Sequence, residues 1–238
     1  MPDFINLDYG SDYYRETMRH MNIENRLADR LRLALIVAEE TFSDKQLPVL
    51  EKELAEILET REKPLTEIED QFRKNCRDML RTVSYKPTGR GKPASEYLHR
   101  EAAEGRFPRI NTVVDINNYI SLKYLVPISL WDLDKADTDT YIFRTGNEDE
   151  EFIFNQNGQV IRLNGLATGF AVTAGREIPV ITPVKDSQKT KTSIESKNIG
   201  VAIYYPADWE GFPTIGEITE EFAGLLNHIS EKVYHFYK

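Results

Sequence analysis

A change of hydrophobic period near Asp137 constrains this chain more than any other feature. Ahead of it, apolar residues recur at helical spacing. Beyond it, TYIFRTG, EEFIFNQ, QVIRLNG, GFAVTAG, PVITPVK and GVAIYY are short, alternating or β-branched segments separated by Gly, Asn or Pro. A residue set repeating every two positions lines one face of a strand, whereas helical spacing lines one stripe of a helix. The expectation is therefore an α+β fold. Its N-terminal part is helical. Its C-terminal part is a mainly antiparallel sheet or sandwich of about six strands, with NQNGQ as a hairpin signal. A closing helix is expected over 214–237, where Ile218, Phe222, Leu225, Leu226, Ile229 and Val233 keep helical spacing.

In the N-terminal part, residues 1–25 read as an irregular or partly helical lead-in, with Tyr9, Tyr13 and Tyr14 packing on the body or on a partner. The apolar run Leu31–Ala38 is short and then breaks, which predicts one early buried strand. Leu47, Leu50, Leu54, Ile57 and Leu58 predict an amphipathic helix over 45–62. Thr66 and Glu69 form a capping box that opens a second helix, with Ile68, Phe72, Cys76, Met79, Leu80 and Val83 on its apolar face. Cys76 on that face reads as a packing residue. Residues 84–93 are a basic loop rich in Pro and Gly that could cradle phosphate through backbone N–H groups. A short helix over 93–104 follows. Neither an internal repeat nor a low-complexity linker is present. We therefore expect one domain over 1–238: a mostly helical lead-in with one early strand (1–106), a helix and sheet core (107–205), and the closing helix (214–237).

Composition narrows the function. With one cysteine and four scattered histidines, neither an internal disulfide nor a zinc site is expected, and no cofactor or metal is implied. No apolar run reaches the length of a membrane span, and the acidic N-terminus lacks a signal peptide's regions, so a cytoplasmic location is expected. The net charge of −9 argues against global attraction to nucleic acid. Residues 72–109, however, hold ten Lys or Arg against four acids. Such a local patch is either a solvated helix face or a phosphate-binding surface. Lys86, Arg90, Lys92 and Arg109 are its RNA-contact candidates, and Lys189 and Lys191 offer a second basic lip.

The least ordinary stretch is FPRINTVVDINNYISLKYLVPISLWDLD, residues 107–134. Asn111 is an N-cap, Pro127 lies past the helix end, and a turn anchored by Trp131 is expected after it. Asp115, Asn117, Asn118 and Ser121 lie beside its apolar stripe. Such groups either satisfy neighbouring backbone or line a pocket. VVDINNYISLKY followed by VPISLWDLD resembles the B3/B4 domain of the bacterial phenylalanyl-tRNA synthetase beta subunit. Val113, Val114, Asp115, Asn118, Tyr119, Pro127 and Asp132 carry the match. The resemblance, closer still to free-standing proteins of that family, covers about residues 85–205.

In the synthetase the resembling domain hydrolyses the ester of a wrongly attached tyrosine. The resemblance implies a ligand pocket drawn from Asn118, Ser129, Asp132, Arg144 and Glu151. Two departures matter. Ser129 stands where the synthetase pattern has a histidine, and the strand NIGVAIYY carries no carboxylate where the synthetase has a glutamate. No catalytic residue can be assigned from the pattern. The implied function is binding of tRNA or an aminoacyl adduct, with hydrolysis of mischarged tRNA in trans as its enzymatic form. The alternatives are a non-catalytic module for an amino-acid-like ligand and an interaction protein. A complete ligase is not expected, because these 238 residues show no ATP-binding motif and are too few for its core. The expectation most open to test is that Asn118, Ser129 and Arg144 meet in one cavity.

Overall fold

In the computed structural model of the chain, residues 3–6 and 21–237 are described. Tyr9, Tyr13, Tyr14 and His20 lie outside them. The first organising element is β3 (Leu31–Thr41), in which every residue from Leu33 to Ala38 is buried. A strand apolar on both faces must be covered on both, as in the centre of a layered fold. It pairs with β10 (Ile199–Pro206) on one side and β11 (Ser230–Tyr237) on the other, and β10 pairs onward with β4 (Ile128–Asp132). The resulting sheet has the order β11-β3-β10-β4 and is antiparallel throughout.

A second sheet has the order β1-β2-β5-β8-β9, from β1 (Asp3–Asn6), β2 (Asn22–Asn25), β5 (Thr140–Thr145), β8 (Ala167–Thr173) and β9 (Arg176–Ile181). Only the β2–β5 pair is parallel. Strands β6 (Glu151–Ile153) and β7 (Val160–Arg162) form a separate hairpin. The helices are α1 (Pro48–Arg61), α2 (Glu67–Asp78), α3 (Ala94–Ala103), α4 (Thr112–Tyr124), the four-residue α5 (Leu133–Ala136) and α6 (Ile215–Leu226). Helix α6 packs on β3 and β11, α4 packs on α6 and β4, and α2 packs on β10.

The sheets meet through aromatic side chains. Trp131 of β4 lies edge-on to Tyr141 of β5 at 5.4 Å and donates its Nε1–H to the Tyr141 hydroxyl at 3.1 Å. Tyr204 of β10 meets Phe143 of β5 at 6.4 Å. Opposite Trp131 in the ladder is Gly200. The indole lies over that backbone where any side chain would stand. Cys76 is buried in the core, and burial pushes its thiol well above the ordinary range. This fits a packing role.

The α+β character, the caps and the order of elements match the reading of the sequence. The expected capping box forms at Thr66/Glu69, and a second one is found at Thr214/Glu217. Four details differ. The strands of 140–205 do not share one sheet, because β10 leaves to pair with β3. The lead-in contains two further strands, β1 and β2. Residues 128–132, expected as a turn, are a strand. The closing helix stops at Leu226 and the chain returns as β11. Ile229 and Val233 continue a helical spacing, but an uncovered β3 edge would leave a row of unpaired backbone groups. Pairing there outweighs the local period.

Gly200→Ala is expected to lower the unfolding free energy by about 1–3 kcal/mol through overpacking against Trp131. Urea denaturation checks this, and a variant as stable as the parent would show that the indole can move aside.

Candidate functional site

Helix α4 is fixed at both ends. The Asn111 side chain accepts from the Val114 N–H at 3.1 Å. Asp115 accepts from the Ile110 N–H at 2.8 Å and from Arg109 Nε at 2.8 Å. At the far end Leu125 takes a left-handed conformation (φ 57°), and Ser121 Oγ donates to the Val126 carbonyl at 2.7 Å. Held this way, the helix turns Val113, Ile116 and Ile120 into the core. Val114, Asn117, Asn118 and Ser121, at spacing i, i+3, i+4 and i+7, face a cavity of about 410 Å³.

Ile128 and Leu130 of β4 form the opposite wall. Leu98 and Tyr97 of α3 line it, with Phe154 after β6 and the segment 182–186 that follows β9. The volume falls within the range of small-ligand sites, and the lining is mainly apolar with a few polar groups. Those groups are incompletely partnered. Asn117 donates to the Asn118 side-chain oxygen at 3.3 Å, while its own Oδ1 has no partner. Asp186 accepts from the Leu130 N–H through Oδ2 at 3.2 Å; Ser129 and the Thr182 backbone also favour its charged form, but its buried Oδ1 makes no hydrogen bond of good geometry. Burial raises the Asp186 carboxyl to about 7 against the pull of its hydrogen bonds. Beside it, Lys185 lies 4.4 Å from the Phe154 ring centre. Burial, and then the charges of Lys191 and Arg90, lower the Lys185 amine below its ordinary value.

Among the candidates from the sequence, Asn118 and Lys191 line this cavity. Ser129 and Arg144 do not join them. Ser129 is fully buried, bonded to the Thr182 carbonyl at 2.9 Å and to the Tyr204 hydroxyl at 3.1 Å. The reason is alternation. In a strand, Ile128 and Leu130 facing the cavity oblige Ser129 to face away, whereas the expected turn carried no such rule. Arg144 lies in the other sheet. It pairs with Glu150 and Glu177, both at 2.6 Å, and lies 3.7 Å from the Phe170 ring centre. Its fork is filled by protein carboxylates.

Asp132 caps α5 through the Asp134 and Lys135 N–H groups and accepts from Ser196 Oγ at 2.5 Å. Ser196 and Lys135 hold its carboxyl below the ordinary carboxylate value despite burial. Glu151 is exposed on β6, opposite Arg162. Arg109 is bound by Glu51 and Asp115, so its charge is neutralised. The other arginines of the basic window, at 73, 77, 81, 100 and 106, and Lys74 are ion-paired too. Lys86, Arg90 and Lys92 remain exposed on the loop before α3, as Lys189 does beyond β9. That loop is braced by its own groups: Tyr85 Oη donates to the Gly91 carbonyl at 2.7 Å, and the Thr88 and Gly91 N–H groups bond to Lys86 and Thr88 carbonyls.

Lys185 and Asp186 were invisible to sequence reasoning. A Lys-Asp pair after VITPV looks like a solvated turn, and nothing local announces that it closes over β4. Among the described residues no group of three or more His, Cys, Asp or Glu is placed to hold a metal ion. No described helix is long and apolar enough to cross a membrane.

The B3/4 domain family model matches residues 75–208, more than half of the chain and the whole of the cavity lining. The chain belongs to the B3/4 domain family. Among solved structures it is similar to an N-terminal fragment of the phenylalanyl-tRNA synthetase beta-subunit from Pyrococcus horikoshii, at 10% identity and a TM-score of 0.44. The match covers 91% of this chain and 53% of that one, so the chain spans about half of the fragment's length. None of the curated proteins matches.

Two outcomes follow from this geometry. Arg144→Ala should leave Glu150 and Glu177 without their shared cation and lower stability by roughly 1–3 kcal/mol, without altering the cavity. Chemical denaturation measures the loss. Asp186→Asn should be more stable than the parent at pH 8 and close to it near pH 4. A carboxyl raised in the folded state favours folding below its unfolded value of about 4 and loses that contribution as pH rises through about 7. Thermal unfolding from pH 4 to 8 tests the sign; a gap that does not grow with pH would contradict it.

Proposed function

We propose that this chain acts as a single-domain binding module for an amino-acid-like ligand, free or carried as an aminoacyl adduct on tRNA. The ligand's apolar side chain lies against Val114, Ile128 and Leu130, and its ammonium donates to Asp186 and Asn117. The observation that carries the reading is the pair of buried acceptors with unfilled hydrogen-bonding capacity, Asn117 Oδ1 and Asp186 Oδ1, at a mainly apolar cavity. A buried acceptor without a donor is costly, and a ligand ammonium removes that cost. Lys86, Arg90, Lys92, Lys189 and Lys191 are the residues proposed to meet tRNA phosphates. A cytoplasmic place in translation belongs to the same reading.

Hydrolysis of mischarged tRNA in trans is the second reading. Its support is the Asp186 carboxyl, raised to about 7. Such a group is partly ionised near neutral pH and suits a base that takes a proton from water. The family histidine and glutamate are absent here, so this carboxylate would act without them.

Titrating the protein with phenylalanine and tyrosine, followed by NMR, tests the first reading. Asp186→Asn should weaken binding roughly tenfold or more, the scale of a lost charge-assisted hydrogen bond. No binding by either amino acid or by their tRNA esters would remove it. For the second, release of amino acid from a panel of mischarged tRNAs should rise with pH through about 7 and fall on the order of 100-fold in Asp186→Asn. Equal rates for parent and variant would leave binding alone.

A further inference from the structure

The chain carries nine more acidic than basic residues, and most arginines of its basic window have a carboxylate in contact. Against that background, two cations line the cavity and a third, Arg90, stands on the adjoining loop. Arg90, Lys185 and Lys191 have no acidic side chain within ion-pair distance among the described residues. Lys185 and Lys191 line the cavity, and Lys191 and Arg90 both act on Lys185 through space. The cluster is also built rather than accidental. The Ala94 N–H donates to the Pro183 carbonyl at 2.9 Å, tying the loop that bears Arg90 to the segment that bears Lys185. The Lys191 carbonyl accepts from Lys135 Nζ at 2.8 Å, and Lys135 is itself paired with Asp132 at 3.2 Å. Asp186, also at the cavity, interacts with Lys191 over a longer range. Holding a half-buried ammonium beside two like charges opposes folding. A bound anion relieves that repulsion more than it relieves a solvated surface lysine.

We propose that Arg90, Lys185 and Lys191 form an oxyanion site at the mouth of the cavity, which takes a carboxylate or phosphate carried by the ligand whose apolar body lies inside. The proposal rests on the cavity being a ligand site, as argued above, and adds the ligand's charge. The occupant is an anionic amphiphile, with a ring or aliphatic body against Val114, Ile128 and Leu130 and its anionic group between three cations. A free acid and a phosphorylated compound satisfy this chemistry, and a neutral ester without a phosphate nearby does not.

Calorimetric titration with 3-phenylpropionate, phenyl phosphate and the uncharged 3-phenylpropanol separates the possibilities. At low salt both anions should bind about tenfold tighter than the alcohol, and added salt should narrow the gap. In the Lys185→Gln/Lys191→Gln double variant that preference should vanish while the alcohol binds as before. Arg90→Gln should give a smaller loss. Thermal unfolding of each variant confirms that it is folded. A larger advantage for phenyl phosphate identifies phosphate as the anion, and a larger one for phenylpropionate identifies carboxylate. If the alcohol binds as tightly as the anions, or if the double variant keeps their advantage, the oxyanion site is wrong while the cavity reading stands. If none of the three binds while phenylalanine does, the oxyanion site is wrong and the amino-acid reading stands; if phenylalanine does not bind either, both fall together.

Discussion

The site depends on how the edge strand β4 is closed. One side of β4 pairs with β10, and the other faces the segment after β9 instead of another strand. An edge strand with buried flanks cannot leave its N–H groups to water. Asp186 takes the Leu130 N–H, and Ser129, on the other face, donates to the Thr182 carbonyl. These two bonds join the sheets on either side of β4. They also leave Asp186 beside the cavity, with Ile128 and Leu130 as its apolar wall. The same edge closure therefore makes the junction and buries the carboxylate beside the cavity.

Charge follows a comparable logic. Arg144, Arg77, Arg73 and Arg109 each meet carboxylates from distant parts of the chain, and partly buried guanidinium groups are stable only with such partners. Within the basic window, the cations left without acids are Lys86, Arg90 and Lys92 of the loop before α3, and the segment beyond β9 adds Lys185, Lys189 and Lys191. Lys185 and Lys191 line the cavity, and the Ala94–Pro183 bond ties the loop before α3 to their segment. A basic window counted along the sequence is thus mostly internal salt bridges, and its residual positive charge is local.

What could be read from the sequence was local. The Asn111 and Thr66 caps, the helical stripe ending before Pro127 and the short strands beyond Asp137 are rules of neighbouring residues, and the fold obeys them. Errors arose where distant partners decide. Residues 128–132 resemble a turn until β10 supplies a ladder, and with the ladder comes the alternation that hides Ser129. Residues 230–237 continue a helical spacing until the edge of β3 recruits them. Arg144 is a free ligand-gripping fork until Glu177, 33 positions later, is brought beside it. Asn118 was legible because a helix stripe is local, and Asp186 was not because its meaning comes from β4.

The identity of residue 186 is itself informative. Closing the edge at Leu130 requires one hydrogen-bond acceptor, and a neutral amide oxygen would serve the same N–H. A carboxylate there must either lose hydration in its charged form or hold a proton, which is why its titration lies near 7 instead of about 4. The fold thus retains an ionisable group that opposes stability at neutral pH where an uncharged one would close the strand equally well. Departures of this kind from the rules of stable packing gather at functional sites. The second oxygen of the same carboxylate makes no hydrogen bond of good geometry, although Ser129 and the Thr182 backbone lie near enough to favour its charged form. One oxygen closes the strand, and the other is left with unfilled hydrogen-bonding capacity beside the cavity.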